Sequence, residues 1–231
     1  MARFVFACGG GGLGSMSPNP NLVHEILDRT PPKPTILFLP TASGDAIEYI
    51  ARFEQQVLEY GAIPRVLPLF RPSLWDRELV EYFDGVDFIW VGGGNTRNML
   101  TLWDLWGVTP LIRKSYESGV PIGGVSAGAI CWFEFGCTDS VGRKLGIMDC
   151  LGWIPGAATP HFDSEHDRRP MLSHFIESGL LHQEGIAFDE GVTGVFEDEK
   201  LVQIIREAGA GTAWIHRCED RQAVIEPIPL P

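Results

Sequence analysis

Short apolar runs alternate with amphipathic segments over the first 135 residues, and this alternation limits the chain to few folds. Thr35–Leu39 and residues 87–91 are continuous apolar runs, as expected for strands buried on both faces. Residues 45–60, between them, place apolar side chains at helical spacing. The same alternation predicts further strands at 3–8, 65–69 and 121–125, and helices at 22–28, 74–83, 97–106 and 110–118. It indicates an α/β fold with a doubly wound, mostly parallel sheet flanked by helices and ligand sites at the strands' carboxyl ends.

The pattern changes beyond residue 136. Residues 136–160 are rich in glycine and are predicted to be irregular, and residues 170–181 are predicted to be helical. Short strand candidates, expected to be antiparallel, follow at 186–188, 192–196, 201–205 and 212–216. The sequence contains no linker, repeat or low-complexity segment, so we expect residues 1–231 to form one domain with one mixed sheet.

The net charge of −12 argues against nucleic acid and anionic membranes as partners. No apolar run approaches the ~20 residues of a membrane span. The five cysteines are scattered, with no zinc-binding spacing, which favours free thiols in a reducing compartment. These observations predict a soluble cytoplasmic protein, and the serine chemistry described below needs no metal and no organic cofactor. They leave the oligomeric state open, and a homo-oligomer is compatible with them.

Gly124 to Gly128 (GVSAG) fits the G-x-S-x-G nucleophile elbow. In this motif a buried strand turns sharply into a helix, and glycines flank the serine because the turn leaves no room for side chains. The expected strand 121–125 and a helical continuation over 127–133 provide that setting. Ser126 is therefore the predicted nucleophile. The backbone N–H of Ala127 is expected to point toward the same position as the Ser126 hydroxyl.

A serine nucleophile needs a base, and the base needs an orienting acid. Of the six histidines, His161 is the first candidate for the base, because it lies in a polar loop that follows an apolar segment. His166 in the same loop is a second candidate. Glu190, in a D-E-G turn after an expected strand, is a candidate acid. Asp139 is a competing one, and the pattern alone does not choose between them.

Two glycine-rich segments follow strands. Residues 91–100 (VGGGNTRNML) place three glycines before a helix, where free backbone N–H groups stabilise negative charge. No Walker lysine follows, so a P-loop is not predicted. The other segment contains Gly9, Gly11 and Gly14 in a G-x-G-x-x-G pattern. Pro18 and Pro20 interrupt the helix that should begin at once, so this segment is not interpreted as a dinucleotide site.

VGGGNTRNML, GGVSAGA, TPHF and a strand ending in DEG, in this order, resemble the peptidase E (aspartyl dipeptidase) family. These are serine peptidases with a class I glutamine-amidotransferase-like fold, related to cyanophycinases. The resemblance covers about residues 35–200. It implies Ser126 as nucleophile, His161 as base, Glu190 as orienting acid, and the N–H groups of Gly94 and Ala127 as the oxyanion hole. The order serine, histidine, acid differs from that of α/β-hydrolases.

One segment departs from that family. Peptidase E carries a longer loop after its histidine, with an arginine that holds the substrate's aspartate. This chain has FDSEHDRRP, in which Arg168 is the nearest match and Arg169 its neighbour. A guanidinium there could bind a substrate carboxylate. Alternatively, both arginines are solvated and paired with nearby acids. Asp139 falls near, but not on, an acidic position that was also proposed for the family's triad.

The sequence thus predicts a serine peptidase that hydrolyses short peptides, with dipeptidase E-like exopeptidase activity. A carboxypeptidase or cyanophycinase-like hydrolase would use the same triad with a different pocket. A class I amidotransferase would need cysteine at the elbow, and Cys131 lies too far along the chain. A binding protein of the same fold without catalysis is the last alternative.

Overall fold

The computed structural model describes residues 1–16 and 18–229. The strands are β1 Phe4–Cys8, β2 Thr35–Leu39, β3 Ile63–Val66, β4 Phe88–Val91, β5 Ile122–Val125, β6 Phe133–Thr138, β7 Gly146–Asp149, β8 Ile154–Thr159, β9 Gly185–Phe188, β10 Val192–Glu197, β11 Lys200–Arg206, β12 Ala213–Glu219 and β13 Gln222–Pro227. The helices are α1 Pro20–Asp28, α2 Ile47–Glu59, α3 Thr96–Trp106, α4 Val108–Glu117, α5 Ala127–Ile130 and α6 Arg168–Glu177.

A first sheet has the order β11-β10-β1-β5-β4-β2-β3 and contains the strands β1 to β5 of the alternating region together with β10 and β11. From β1 to β3 all neighbours are parallel, and β10 and β11 add antiparallel strands beside β1. The fold is therefore the predicted α/β class with a mostly parallel sheet. Because the carboxyl ends of β1, β4 and β5 are adjacent, the loops that follow them meet at one edge.

The expectation of a single mixed sheet is wrong, because a second sheet has the order β13-β12-β9-β8-β6-β7. Residues 136–160, predicted to be irregular, contain β7, β8 and the second half of β6. These strands are short and glycine-rich, so they carry little local signal. Their pairing comes from partners distant in sequence, such as β9 alongside β8.

Three local predictions also differ from the structure. Residues 74–83, predicted as a helix, form two short 3₁₀ segments at Pro72–Leu74 and Leu79–Phe83. The helix after the elbow ends at Ile130, because the chain turns there into β6. The strand expected at 65–69 is Ile63–Val66 instead.

Buried residues lie on both faces of the first sheet. Phe6 and Cys8 of β1 pack on one side with α1 and α2, while Val5 and Ala7 face the other side. That second side is covered by α3 and α4 together with part of the second sheet, and α6 packs on the far face of the second sheet. The two sheets thus share one core. No helix among the described residues is long and apolar enough to cross a membrane.

Candidate active site

The elbow at Ser126 is held in an uncommon backbone conformation. Ser126 has φ 55° and ψ −109°, in the turn between β5 and α5. A β-carbon at Gly124 would lie 2.5 Å from the Val91 carbonyl oxygen, and one at Gly128 would overlap the same oxygen. Both flanking positions therefore require glycine, as the motif predicted. The Ser126 N–H donates to the Cys8 carbonyl at 3.0 Å, which fastens the turn to β1.

His161 follows β8 and is oriented by Glu190. The Nδ1 of His161 lies 2.7 Å from Glu190 Oε2. The hydrogen bond to His161 lowers the pKa of Glu190, so the carboxylate is charged and can only accept hydrogen bonds. Nδ1 therefore donates to Glu190, and in the neutral tautomer that this selects the lone pair is on Nε2. His161 and Ser126 line one cavity, although no hydrogen bond joins their side chains.

Asp139 does not take the place of Glu190. Asp139 lies after β6 and lines the same cavity as Ser126 and His161, but the side chain that contacts His161 Nδ1 is that of Glu190. His166, the second histidine candidate, is exposed and is not among the residues that line this cavity.

The glycine-rich loop after β1 supports all three of the predicted catalytic segments. The carbonyls of Cys8, Gly9 and Gly10 accept hydrogen bonds from the N–H groups of Ser126, His161 and Gly191 at 3.0, 3.2 and 3.2 Å. A β-carbon at Gly10 would overlap the Glu190 carboxylate. This loop was not predicted to belong to the site, although a run of four glycines at a strand end indicates close backbone approach.

Three further polar residues hold the segment that carries Glu190. Asp163 Oδ1 accepts the Glu190 N–H at 2.8 Å, and the Ser164 hydroxyl donates to Glu190 Oε2 at 3.3 Å. Buried Asp189 accepts from the Thr212 N–H and from Trp214 Nε1. The sequence analysis named none of these as site residues, because acidic residues in loops are common and their partners lie far along the chain.

The backbone amides predicted for the oxyanion hole have no acceptor among the described residues. The Ala127 N–H is at the first position of α5, where no intrahelical acceptor exists. Gly94 lines the cavity with φ 137°, and a β-carbon there would overlap the Ala42 carbonyl. The neighbouring Gly93 N–H is already used, because it donates to the Tyr49 hydroxyl.

Arg168 and Arg169 lie in different places. Arg168 is 3% exposed, lines the cavity, and donates through Nε to Glu165 and through Nη1 to the Cys137 carbonyl, both at 2.8 Å. Arg169 is exposed and lies over the Trp214 ring, 4.3 Å from its centroid. The structure thus brings Arg168 to the cavity but not Arg169, because successive residues of a helix point in different directions.

The cavity has a volume of about 340 Å³ and is lined by Gly94, Asn95, Ser126, Asp139, His161, Glu165 and Arg168. A larger cavity of about 550 Å³ lies between the sheets near the C-terminus, with mostly apolar walls and none of the predicted triad residues. No cluster of three or more metal-binding side chains occurs within the described ranges. The predicted residues Ser126, His161, Gly94, Asp139 and Arg168 thus line the smaller, polar cavity.

The fold and its relatives define this chain as a serine-type peptidase, a hydrolase of peptide bonds. It belongs to peptidase family S51, whose model matches residues 5–204. Uncharacterized peptidase YgaJ from Bacillus subtilis (strain 168) is 40% identical over 228 residues, which cover 98% of this chain and 96% of that protein. The resemblance to peptidase E based on the GGGNT, SAGA and PHF motifs is confirmed.

Two solved structures share the fold. A peptidase from an acI-B1 Actinobacterium superposes with a TM-score of 0.68 at 18% identity, over 99% of this chain and 98% of that chain. A putative peptidase E protein from Listeria monocytogenes EGD-e gives 0.63 at 16% identity, over 89% of this chain and 99% of the other. At these identities the structures establish the shared architecture alone.

Proposed function

We propose that this peptidase hydrolyses dipeptides and other short peptides through a triad of Ser126, His161 and Glu190. The observation that carries the proposal is the 2.7 Å contact between His161 Nδ1 and Glu190 in the cavity that Ser126 lines. In the neutral imidazole this contact places the proton on Nδ1 and leaves the Nε2 lone pair for the serine proton, as a general base requires. Ser126 comes from the first sheet and His161 from the second, so we propose that residues 1–231 act as one catalytic unit.

In the proposed reaction, His161 Nε2 removes the proton from Ser126 Oγ as Oγ attacks the peptide carbonyl carbon. The oxygen that becomes negative is bound by the N–H groups of Gly94 and Ala127, which have no acceptor among the described residues. His161 then gives its proton to the leaving amine. Water releases the acyl group from Ser126 by the same steps, and Glu190 stabilises the imidazolium that forms each time.

The size and polarity of the cavity favour short substrates. The volume of about 340 Å³ lies at the lower end of the range typical of small-molecule sites, about 300–1,000 Å³, which suits a ligand of dipeptide size. Nη2 of Arg168 has no acceptor among the described residues, while its other nitrogens are held by Glu165 and Cys137. We propose that Arg168 binds the C-terminal carboxylate of the substrate, which favours exopeptidase activity.

The test is hydrolysis of dipeptides and tripeptides with free or blocked termini by wild type, Ser126→Ala and Ser118→Ala. Ser118 is a matched control because its hydroxyl bonds only the end of α4. We expect Ser126→Ala to lose at least ~10³-fold in kcat and Ser118→Ala to match wild type. Retained hydrolysis in Ser126→Ala would refute the proposed nucleophile.

The substrate panel also separates the alternatives. With longer substrates added to the panel, cleavage of long N-blocked peptides with free C-termini would indicate a carboxypeptidase, and cleavage of cyanophycin would indicate cyanophycinase-like activity. Binding of peptides by wild type without any hydrolysis would indicate a binding protein instead.

A further inference from the structure

The charges that face the active-site cavity are unequal. Two carboxylates, Asp139 and Glu165, and one guanidinium, Arg168, line it. Glu165 and Arg168 form an ion pair at 2.8 Å, so their charges largely offset each other. The Asp139 carboxylate has no hydrogen-bond donor or cation within bonding distance among the described residues. Asp139 is exposed and presents its charge to the cavity that Ser126 also lines, and an ammonium group is the natural complement of that charge.

The position of Asp139 is fixed by its neighbours. The Ser140 N–H donates to the Thr138 hydroxyl at 3.1 Å, and the two hydroxyl groups lie 2.9 Å apart. Ser140 Oγ also accepts the Thr96 N–H at 2.9 Å, at the start of α3. Thr96 is two residues after Gly94, so the turn that carries Asp139 is tied to the proposed oxyanion loop. These bonds fix the backbone at Asp139 relative to the oxyanion loop, while the exposed carboxylate itself makes no hydrogen bond to the described residues.

We propose that Asp139 is a specificity-determining residue that binds the α-ammonium group of the substrate. This inference rests on the proposed function and deepens it, because it assigns the free N-terminus to Asp139 while Arg168 takes the C-terminus. The enzyme would then select peptides with a free amino terminus close to the scissile bond.

The same charges define the preferred first residue of the substrate. The guanidinium of Arg168 already forms an ion pair with Glu165 and is assigned to the C-terminal carboxylate of the substrate. The cavity lining offers no second cation for an acidic side chain of the substrate. An aspartate at the first position would bring a carboxylate into the cavity without a cation to pair with it, and the loss of its hydration would be uncompensated. The enzyme should therefore prefer a neutral first residue over an acidic one of the same shape.

The test compares Ala-Leu with N-acetyl-Ala-Leu, and Asn-Leu with Asp-Leu. Asp139→Asn keeps the shape of the side chain and removes its charge, and Asp149→Asn changes an exposed aspartate on β7, outside the cavity, as a control. Losing one charged hydrogen bond should lower kcat/KM for Ala-Leu by about 10- to 100-fold, mostly through KM. The low rate with N-acetyl-Ala-Leu should stay unchanged, and wild type should cleave Asn-Leu at least about tenfold better than Asp-Leu.

The inference is overturned if Asp139→Asn leaves the ratio of free to acetylated substrate unchanged, or if it lowers kcat equally for both. A preference of wild type for Asp-Leu would equally overturn it. Calorimetric titration of Ala-Leu into Ser126→Ala, with and without Asp139→Asn, separates it from the proposed function. Weaker binding in the double variant supports Asp139 as the ammonium site even if Ser126 is not the nucleophile.

Discussion

Three consecutive carbonyl groups at the end of β1 bond the segments that carry Ser126, His161 and Glu190. Backbone can approach this closely only where side chains are absent, which explains the glycines at positions 9 and 10. At the scale of single residues, the relative positions of the three predicted catalytic side chains therefore depend on main-chain hydrogen bonds to one short loop.

Gly10→Ala tests this dependence. Its β-carbon would overlap the Glu190 carboxylate, the flexible end of a long side chain, so the protein should fold while Glu190 moves away from His161. We expect kcat/KM for peptide hydrolysis to fall by about 10- to 1000-fold, as when an orienting group is lost. The double variant Gly10→Ala/Glu190→Gln should be no slower than Glu190→Gln alone. Additive losses would show that Gly10 acts elsewhere.

At the scale of elements, the unit of function is β5, the elbow and α5. The elbow is strained at Ser126, and such conformations cost on the order of 1–3 kcal/mol unless their surroundings impose them. Here the start of α5 packs directly against the end of β4, because Gly128 meets the Val91 carbonyl. This close packing positions Ser126 and the Ala127 N–H together.

Gly128→Ala should separate α5 from β4. We expect it to lower the free energy of unfolding by about 1–3 kcal/mol, as overpacking typically does, and to reduce kcat. Gly142→Ala is the matched control, because its β-carbon would have no neighbour within 4 Å. It should change stability by no more than about 0.5 kcal/mol. Urea unfolding measures the free energy of unfolding of both variants. An equal loss in Gly128→Ala and Gly142→Ala would contradict the packing argument.

The elements of the first half of the chain were predictable because their pattern is local. β2 and β4 are apolar on both faces, and α2 shows helical spacing. The strands within residues 136–160 escaped prediction because glycine and short length weaken the local signal. Only pairing with β9 and with one another makes them strands.

At the scale of the whole molecule, the candidate site lies where the chain passes between the two sheets. Ser126 lies at the end of β5 in the first sheet, and α5 leads directly into β6 of the second. Glu190 is in the turn from β9 in the second sheet to β10 in the first. The site therefore depends on both sheets being folded and docked, and global stability sets its integrity.

His216 on β12 predicts how that stability varies with pH. It is fully buried, neither ring nitrogen has a hydrogen-bond partner among the described residues, and burial lowers its pKa from 6.5 to about 4. Between pH 6.5 and 4 the unfolded chain binds a proton that the folded protein does not. Stability should therefore fall with decreasing pH in this window, by on the order of 3 kcal/mol.

The variant His216→Met, which can fill the same space without titrating, isolates this effect. Urea unfolding at pH 7, 5.5 and 4 should show a smaller loss of stability for the variant than for wild type, since the other titrating groups are common to both. Parallel curves for the two proteins would show that His216 does not cause the pH dependence.

The sequence by itself determined the α/β class, the strand-to-helix elbow at Ser126 and the family, because these depend on patterns within short windows. It also predicted His161 and Glu190 as candidates. Only the tertiary structure decided that Glu190 rather than Asp139 contacts His161, and that Arg168 rather than Arg169 faces the cavity. These choices depend on distances between segments far apart in the chain, which form only when two sheets dock around the glycine loop of β1.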